Sequence, residues 1–197
     1  MRKDIIVLGG SAGAVEALNE LVGGLPRDLD AAVLVVIHVP PHSPGHLVDI
    51  LQRRTALRVT WAQDDGAIEP GHVYVAPPDR HLIVEGGRMR LTDTALEHHN
   101  RPAIDPLFRS TALEYGPRAI AVVLSGRLDD GTAGLHTVKE LGGTAVVQDP
   151  DDALHPDMPR NAMAGTMVDH VVPVADLATL LARLVLESRD GVTPNSV

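Results

Sequence analysis

The stretch Ile5-Ile6-Val7-Leu8-Gly9-Gly10-Ser11-Ala12-Gly13-Ala14 decides the predicted fold of this chain. Its four aliphatic residues predict a buried strand, the glycines that follow predict a sharp turn, and a helical pattern begins at Ala14. A strand that leads through such a turn into a helix is typical of α/β domains. The turn also has the spacing G-x-S-x-G, which in a nucleophile elbow lifts a serine hydroxyl above the end of a sheet.

Strand and helix patterns alternate along the rest of the chain. The predicted strands are 5–8, 32–37, 58–61, 72–76, 119–124, 144–147 and 169–172, and the predicted helices are 14–21, 45–53, 106–115, 132–141 and 175–187. Residues 81–91 interrupt the alternation and predict a β-hairpin that turns on Gly86-Gly87. The chain therefore predicts an α/β fold with a doubly wound, mostly parallel sheet, helices on both faces (three layers, α/β/α) and a small antiparallel hairpin.

Several helix ends have sequence signals of their own. Ser43-Pro44 and Asp105-Pro106 each predict an N-cap followed by proline at the first helical position. Gly142-Gly143 predicts a helix C-cap. Three apolar residues at helical spacing are expected to face the sheet: Leu135, Val138 and Leu141.

Composition limits the class of protein. The 197 residues carry a formal net charge of −9 and no cysteine, which disfavours nucleic-acid or anionic-membrane partners and excludes thiolate chemistry and disulfides. No apolar run approaches the ~20 residues of a membrane span, and the N-terminus lacks the pattern of a signal peptide. The sequence predicts one domain over 1–190, a cytoplasmic location, and disorder in the polar stretch from Ser188 to Val197, with 191–197 as a tail outside the domain.

Polar residues follow three strongly apolar predicted strands. Ser11 follows the first strand, His38 follows the second, and Asp129-Asp130 lie in the loop after the strand 119–124. In doubly wound sheets, ligands bind beyond the carboxyl ends of the strands. A nucleophile, a base and an acid are therefore expected at one edge of the sheet, where His38 could take the Ser11 proton and a carboxylate could orient the imidazole.

Each of these residues also has a purely structural interpretation. Ser11 could form a tight turn and cap the following helix, and His38 could be a hydrogen-bonded structural histidine. Asp129-Asp130 could be a solvated pair in which Asp130 caps the next helix. Gly126 and Gly131 favour a functional loop, because glycine allows tight turns beside a site. The pair His98-His99 is expected to be solvated, and the acidic pairs Asp64-Asp65 and Asp151-Asp152 are expected on the surface.

Two ligand-binding interpretations fit the sequence less well. A dinucleotide fingerprint would need glycine at Ser11 and Ala14, and an acidic residue where His38 stands. A metal site from His38, His42 and His46 would need helical geometry, which Pro40, Pro41 and Pro44 oppose. We therefore expect neither a metal nor another cofactor.

Taken together, the motifs resemble the catalytic domain of bacterial chemotaxis protein-glutamate methylesterases, the CheB family, over about 5–186. The similarity is carried by these segments: Leu8-Gly9-Gly10-Ser11-Ala12-Gly13-Ala14-Val15-Glu16-Ala17-Leu18, Val36-Ile37-His38-Val39, Pro70-Gly71-His72-Val73-Tyr74-Val75-Ala76-Pro77-Pro78-Asp79-Arg80-His81, Arg101-Pro102-Ala103-Ile104-Asp105-Pro106-Leu107-Phe108-Arg109-Ser110 and Leu124-Ser125-Gly126-Arg127-Leu128-Asp129-Asp130-Gly131. So many ordered matches are much more specific than any single motif.

The resemblance implies Ser11 as the nucleophile, His38 as the base, and Asp130 rather than Asp129 as the orienting acid. It implies hydrolysis of glutamate γ-methyl esters on the cytoplasmic helices of chemoreceptors, often with deamidation of receptor glutamines, and no cofactor or metal. The implied partners are methylated chemoreceptors and a separate receiver or chemotaxis regulator. No receiver domain is expected within this sequence. The domain could stand alone, be regulated in trans, or be part of a longer chain; if it stands alone, activity independent of phosphorylation is expected.

The chain departs from the family pattern beside the implied site. Ala12 replaces a threonine, Ala14 replaces a glycine, and Arg127-Leu128 replace the Met-Gly of the motif L-T-G-M-G-x-D-G. Candidates for the oxyanion surroundings are Ala12, Gly13 and Arg127, with Arg127 alternatively directed to solvent. The departures leave two other hypotheses open: a catalytically impaired, methylesterase-like binding module, and a nucleotide-binding α/β protein.

Overall fold

The structure is a computed structural model that describes residues 2–39 and 45–190. Its strands are β1 (Ile5–Gly10), β2 (Ala32–Ile37), β3 (Arg58–Trp61), β4 (Gly66–Ala67), β5 (His72–Val75), β6 (His81–Glu85), β7 (Arg88–Thr92), β8 (Ala119–Val123), β9 (Thr144–Gln148) and β10 (His170–Val172). Its α-helices are α1 (Ala14–Gly24), α2 (Leu47–Gln52), α3 (Ile104–Tyr115), α4 (Thr132–Glu140), α5 (Asp157–Gly165) and α6 (Val174–Asp190). A 3-10 turn at Gly116–Arg118 links α3 to β8.

Seven strands form one parallel sheet in the order β10-β9-β8-β1-β2-β5-β3. These are the seven strands that the aliphatic runs predict, so the predicted parallel sheet is confirmed. β1 is central, with β2 on one side and β8 on the other. The chain moves outward from β1 in both directions, and such a switch point is where open parallel sheets bind ligands.

The central strands are buried on both faces because their aliphatic side chains alternate between two apolar layers. Ile6 and Leu8 pack with α1, α2 and α6, whereas Ile5 and Val7 pack with α3, α4, α5 and the small sheet. Helices on both faces give the predicted three layers, and the aliphatic core suits a sheet with no solvent-facing side.

The predicted hairpin is present and has a third strand. β6 and β7 pair antiparallel around Gly86 and Gly87, which both have positive φ, and β4 pairs with β7. Two elements have no clear sequence pattern and were not predicted: β4, which is only two residues long, and α5, whose first turn contains Pro159. Both elements depend on tertiary packing more than on local pattern.

Gly142 and Gly143 end α4 as predicted. Gly142 has φ of +83°, and its N–H donates to Lys139 O at 3.0 Å, while Gly143 N–H donates to Val138 O at 2.8 Å. This is the Schellman arrangement, which satisfies two carbonyls at the end of a helix.

Three predicted details of the helices are wrong, and two others lie outside the described residues. Ala103, not Asp105, is the N-cap of α3, and Asp105 lies inside the first turn. Leu141 is 39% exposed because α4 has already ended, although Leu135 and Val138 are buried. The polar residues from Ser188 to Asp190 continue α6, where Ser188 accepts a hydrogen bond from Lys3 N. The predicted tail at 191–197 and the predicted N-cap Ser43-Pro44 lie outside the described residues, and α2 begins at Leu47.

Candidate active site

Hydrogen bonds that continue beyond the strand ends fix the backbone of Ser11 and His38. Ser11 follows β1, and its N–H donates to Ser125 O at 3.0 Å. His38 follows β2, and its N–H donates to Gly10 O at 3.1 Å. Because β8, β1 and β2 are neighbours in the sheet, the loops that follow them meet at one edge, although they are far apart in the sequence.

Ser11, His38 and Asp130 form a connected chain of side chains at that edge. His38 Nδ1 lies 3.1 Å from Ser11 Oγ, and His38 Nε2 lies 2.6 Å from Asp130 Oδ2. An ionised carboxylate can only accept hydrogen bonds, so Nε2 carries the proton that it donates to Asp130. Nδ1 then has its lone pair toward Ser11 Oγ and can accept the hydroxyl proton.

The Asp130 carboxylate is buried yet fully hydrogen-bonded. Its Oδ2 accepts from Ile104 N at 2.7 Å as well as from His38, and its Oδ1 accepts from Asp105 N at 3.0 Å. Burial on its own raises the pKa of Asp130, but the bonds from His38 and the two backbone N–H groups, with the His38 charge, outweigh it and lower that pKa. Asp130 is therefore an anion held rigidly at the first turn of α3.

Neither Ser11 nor Asp130 caps the helix that follows it in the chain. The N-caps of α1 and α4 are Gly13 and Gly131, both with positive φ, and neither helix has a side-chain cap bond. Asp129 is 63% exposed, so only Asp130 of the acidic pair contacts His38. The interpretation as a solvated pair is therefore wrong for Asp130. Asp129 is solvated, although it also lies 3.4 Å from His98.

A second carboxylate, Asp105, and a second histidine, His98, lie next to Asp130. Their pairing was not predicted from the sequence. Asp105 is 1% exposed; it accepts from Gly134 N at 2.6 Å through Oδ1 and pairs with His98 Nε2 at 3.0 Å through Oδ2. His98 is therefore not a solvated residue as expected, whereas His99 is exposed. In the sequence, Asp105-Pro106 predicts only the start of a helix, and this pattern does not indicate a buried ion pair with His98.

The charges around His98 and Asp105 shift both titrations. Burial lowers the pKa of His98, but the charges of Asp130, Asp105 and Asp129 and the bond to Asp105 raise it above the ordinary value of 6.5. Burial and the nearby Asp130 charge raise the pKa of Asp105 above 3.8, against the bonds from Gly134 N and His98. Protonated His98 thus offsets part of the repulsion between two adjacent buried carboxylates.

The stabilisation from His98 is expected to depend on pH. Because the pKa of His98 is raised in the folded state, its contribution is fully present below the unfolded-state value of 6.5 for as long as its carboxylate partners stay ionised, and it is lost as pH rises through the folded-state value. We expect the difference in unfolding free energy between wild type and His98→Asn to be larger at about pH 6 than at about pH 9 in urea titrations. Asparagine tolerates the left-handed backbone of this position, where φ is +49°.

His99→Asn is the matched control, because His99 is also left-handed, with φ of +61°, but exposed. Its effect on unfolding free energy should be small at both pH values. A pH-independent effect of His98→Asn would contradict a stabilising ion pair.

Ser125 supports the Ser11 turn and was also missed. It is fully buried; its hydroxyl donates to Ala12 O at 2.8 Å and accepts from His155 N at 3.0 Å. A Cβ built on Gly126 would lie 3.1 Å from Ser11 Cβ, so the loop after β8 passes directly beside the serine. A small residue is needed there, which agrees with the expectation that Gly126 marks a functional loop.

The backbone near Ser11 offers few N–H groups to an incoming oxyanion. The N–H groups of Ser11 and Gly126 already donate to carbonyl oxygens, whereas those of Ala12 and Gly13 have no partner among residues 2–39 and 45–190. The Arg127 side chain is exposed, in agreement with the alternative that it is directed to solvent.

One group of residues in the described part of the chain has the spacing of metal ligands. The ligand atoms of His98, Asp105 and Asp130 lie within 4.8 Å of one another. All four carboxylate oxygens already accept hydrogen bonds from the protein, so we interpret the group as an ion-pair cluster. Of the histidines that could suggest another metal site, His42 lies outside the described residues and His46 is exposed.

A serine, an imidazole and a carboxylate joined in this order at the edge of a parallel sheet are the arrangement found in α/β serine hydrolases. Residues 6–181 match the family model described as CheB methylesterase. The chain therefore belongs to the CheB methylesterase family.

Known proteins support this assignment over nearly the whole chain. The crystal structure of the Thermotoga maritima CheB methylesterase catalytic domain superposes with a TM-score of 0.89 at 31% identity and covers 93% of this chain and 100% of that chain. A Leptospira interrogans relative, provisionally named a protein-glutamate methylesterase/protein-glutamine glutaminase, is 36% identical over 93% of this chain and 96% of its own length. Methanosarcina mazei has a protein-glutamate methylesterase/protein-glutamine glutaminase 2 that is 32% identical over 93% of this chain.

The relatives differ in length. The match spans 96% of the Leptospira protein but only 52% of the Methanosarcina protein and 44% of the Moorella thermoacetica relative. Within the described residues, no helix has the length and apolar character needed to cross a membrane.

Proposed function

We propose that this chain is a protein-glutamate methylesterase that hydrolyses glutamate γ-methyl esters on methylated chemoreceptors. In this proposal Ser11 is the nucleophile, His38 the general base and Asp130 the orienting acid. The observation that carries it is the continuous contact from Ser11 Oγ to His38 Nδ1 at 3.1 Å and from His38 Nε2 to Asp130 Oδ2 at 2.6 Å. Membership of the CheB methylesterase family and the names of the relatives support the substrate class.

The first half of the proposed reaction releases methanol. Ser11 Oγ attacks the ester carbonyl carbon while His38 Nδ1 takes the hydroxyl proton, and Asp130 stabilises the imidazolium. The tetrahedral intermediate collapses with breakage of the bond to the methoxy oxygen, which receives the proton from His38. The products of this half are methanol and a γ-glutamyl ester on Ser11.

The second half regenerates the enzyme. Water attacks the acyl carbon while His38 takes one of its protons, and collapse of the second intermediate returns that proton to Ser11 Oγ. The substrate leaves as a glutamate side chain. A glutamine substrate would follow the same steps with ammonia as the first product, as the glutaminase part of the relatives' names suggests.

The negative oxygen of each intermediate needs hydrogen-bond donors. The N–H groups of Ala12 and Gly13 are our candidates, since no described residue engages them and they lie at the start of α1. Arg127 lies in the loop that passes beside Ser11, but its side chain is exposed to solvent and is not assigned a part in this step.

The proposed setting is a cytoplasmic signalling pathway. Methylated cytoplasmic helices of chemoreceptors are the proposed protein partner, and a separate receiver or chemotaxis regulator is a second proposed partner.

Methanol release from a methylated receptor fragment tests the proposed function. Wild-type protein should release methanol in proportion to the γ-methyl groups on the fragment, measured with a labelled methyl group. A matched fragment with alanine at the acceptor glutamates should release none. Binding of the methylated fragment without methanol release would instead favour the impaired binding module.

A further inference from the structure

Leu128 lies beside the site in a backbone conformation that is costly for leucine. Its φ is +67°, in the left-handed region that glycine adopts freely, and its side chain is 65% exposed. The motif that this loop resembles has glycine here. Leu128 is therefore in a strained backbone conformation, and burial of its side chain does little to offset that strain. Strain of this kind is concentrated at functional positions.

The loop of Leu128 is anchored to the site on both sides. Gly126, two residues earlier, passes against Ser11, and Asp130, two residues later, bonds to His38. Leu128 O also accepts a hydrogen bond from Asn161 Nδ2 at 2.8 Å. The leucine is thus presented at a fixed place between the contacts to the nucleophile and to the base.

A second exposed leucine lies against the other side of the nucleophile turn. Leu154 is 69% exposed, and a Cβ built on Gly13 would lie only 2.9 Å from Leu154 Cβ. The following residue, His155, exchanges backbone and side-chain bonds with Ser125 and Gly126. The loops of Leu128 and Leu154 are therefore joined beside Ser11.

We propose that Leu128 and Leu154 form an apolar contact for the substrate, selecting glutamyl esters that have an aliphatic side chain one helical turn away. The inference rests on the proposed function, because the loops of Leu128 and Leu154 both lie against the turn of Ser11, where the proposed substrate would bind. Arg127 and Asp129 flank Leu128, and both are exposed and carry opposite charges. Leu128 is therefore the apolar residue of this loop, and the one that would contact an aliphatic side chain of the substrate. On a helix, side chains three and four residues from the ester share its face.

Two helical peptides with the same γ-methyl glutamate test the proposal. One has leucine and the other has serine at the positions three and four residues on either side of the ester. We expect wild type to hydrolyse the leucine peptide with about tenfold higher kcat/KM, because each contact buries aliphatic surface. Leu128→Ala and Leu154→Ala should each reduce that preference, while the kcat/KM for a small methyl ester stays unchanged.

Leu128→Gly separates the backbone from the side chain. It should reduce the peptide preference as Leu128→Ala does. It should also lower the unfolding equilibrium constant by about threefold, since glycine relieves the left-handed strain at some entropic cost. Leu113→Ala is the matched control: Leu113 is 75% exposed within α3, away from the Ser11 loops, and its loss should change neither preference nor small-ester hydrolysis.

Equal hydrolysis of both peptides by wild type would overturn the docking proposal and leave the proposed function intact. Absence of methanol from every ester would overturn the proposed function and this inference with it. A dimer that Leu128→Ala dissociates, with an unchanged peptide preference, would show that the leucines contact a second copy and would also overturn the inference.

Discussion

Ser11→Ala is expected to lower kcat for methyl-ester hydrolysis by about 10⁴-fold or more, because no other group can form the acyl intermediate. Among the described residues, the Ser11 hydroxyl forms a hydrogen bond only with His38, and the hydrogen bonds that hold the turn come from the backbone of Ser11. The variant should therefore keep its unfolding midpoint while methanol release disappears.

Ser110→Ala is a suitable control for the loss of a serine hydroxyl. The Ser110 hydroxyl donates to Pro106 O and accepts from Val84 N, so its loss should lower stability and preserve kcat. Wild-type turnover in Ser11→Ala would place the nucleophile elsewhere and refute the mechanism.

Asp130→Asn is expected to lower kcat by about 10³–10⁴-fold and the unfolding free energy by about 1–3 kcal/mol. Three N–H groups donate to the carboxylate: His38 Nε2–H, Ile104 N–H and Asp105 N–H. An amide has one oxygen and one NH₂ group, so at least one of these donors must face another donor. If the NH₂ group faces His38, the imidazole takes the wrong tautomer to accept the Ser11 proton.

Asp129→Asn is the matched control, with the same chemical change one residue earlier at a side chain that is 63% exposed. Its kcat and its urea-unfolding free energy should stay near those of wild type. Equal losses in the two variants would mean that general charge, and not the bond to His38, sets the rate.

The sequence predicts the sheet and the proposed triad because both depend on long aliphatic strands. A five-residue aliphatic run before His38 fixes where β2 ends, and the similar run before Leu124 brings Asp130 to the same edge. Parallel neighbours end at one side of a sheet, so the approximate meeting of Ser11, His38 and Asp130 follows from topology.

The surroundings of the triad were less predictable because they depend on packing between distant segments. His98 reaches Asp105 only through a left-handed loop, and Ser125 reaches Ala12 across 113 residues. Neither contact has a local periodicity that a sequence pattern could reveal. The strain at Leu128 is likewise visible only as a backbone angle.

The attachment of Ser11 and His38 to the two innermost strands has a consequence for how the protein loses activity. The Ser11 N–H is bonded to Ser125 O in the loop after β8, and the His38 N–H is bonded to Gly10 O at the end of β1, so we expect their exchange with solvent deuterium to require separation of these adjoining strand ends. We therefore expect that Ser11 and His38 do not unfold in a separate step before the rest of the domain. On heating, inactivation should therefore coincide with cooperative collapse of the whole domain.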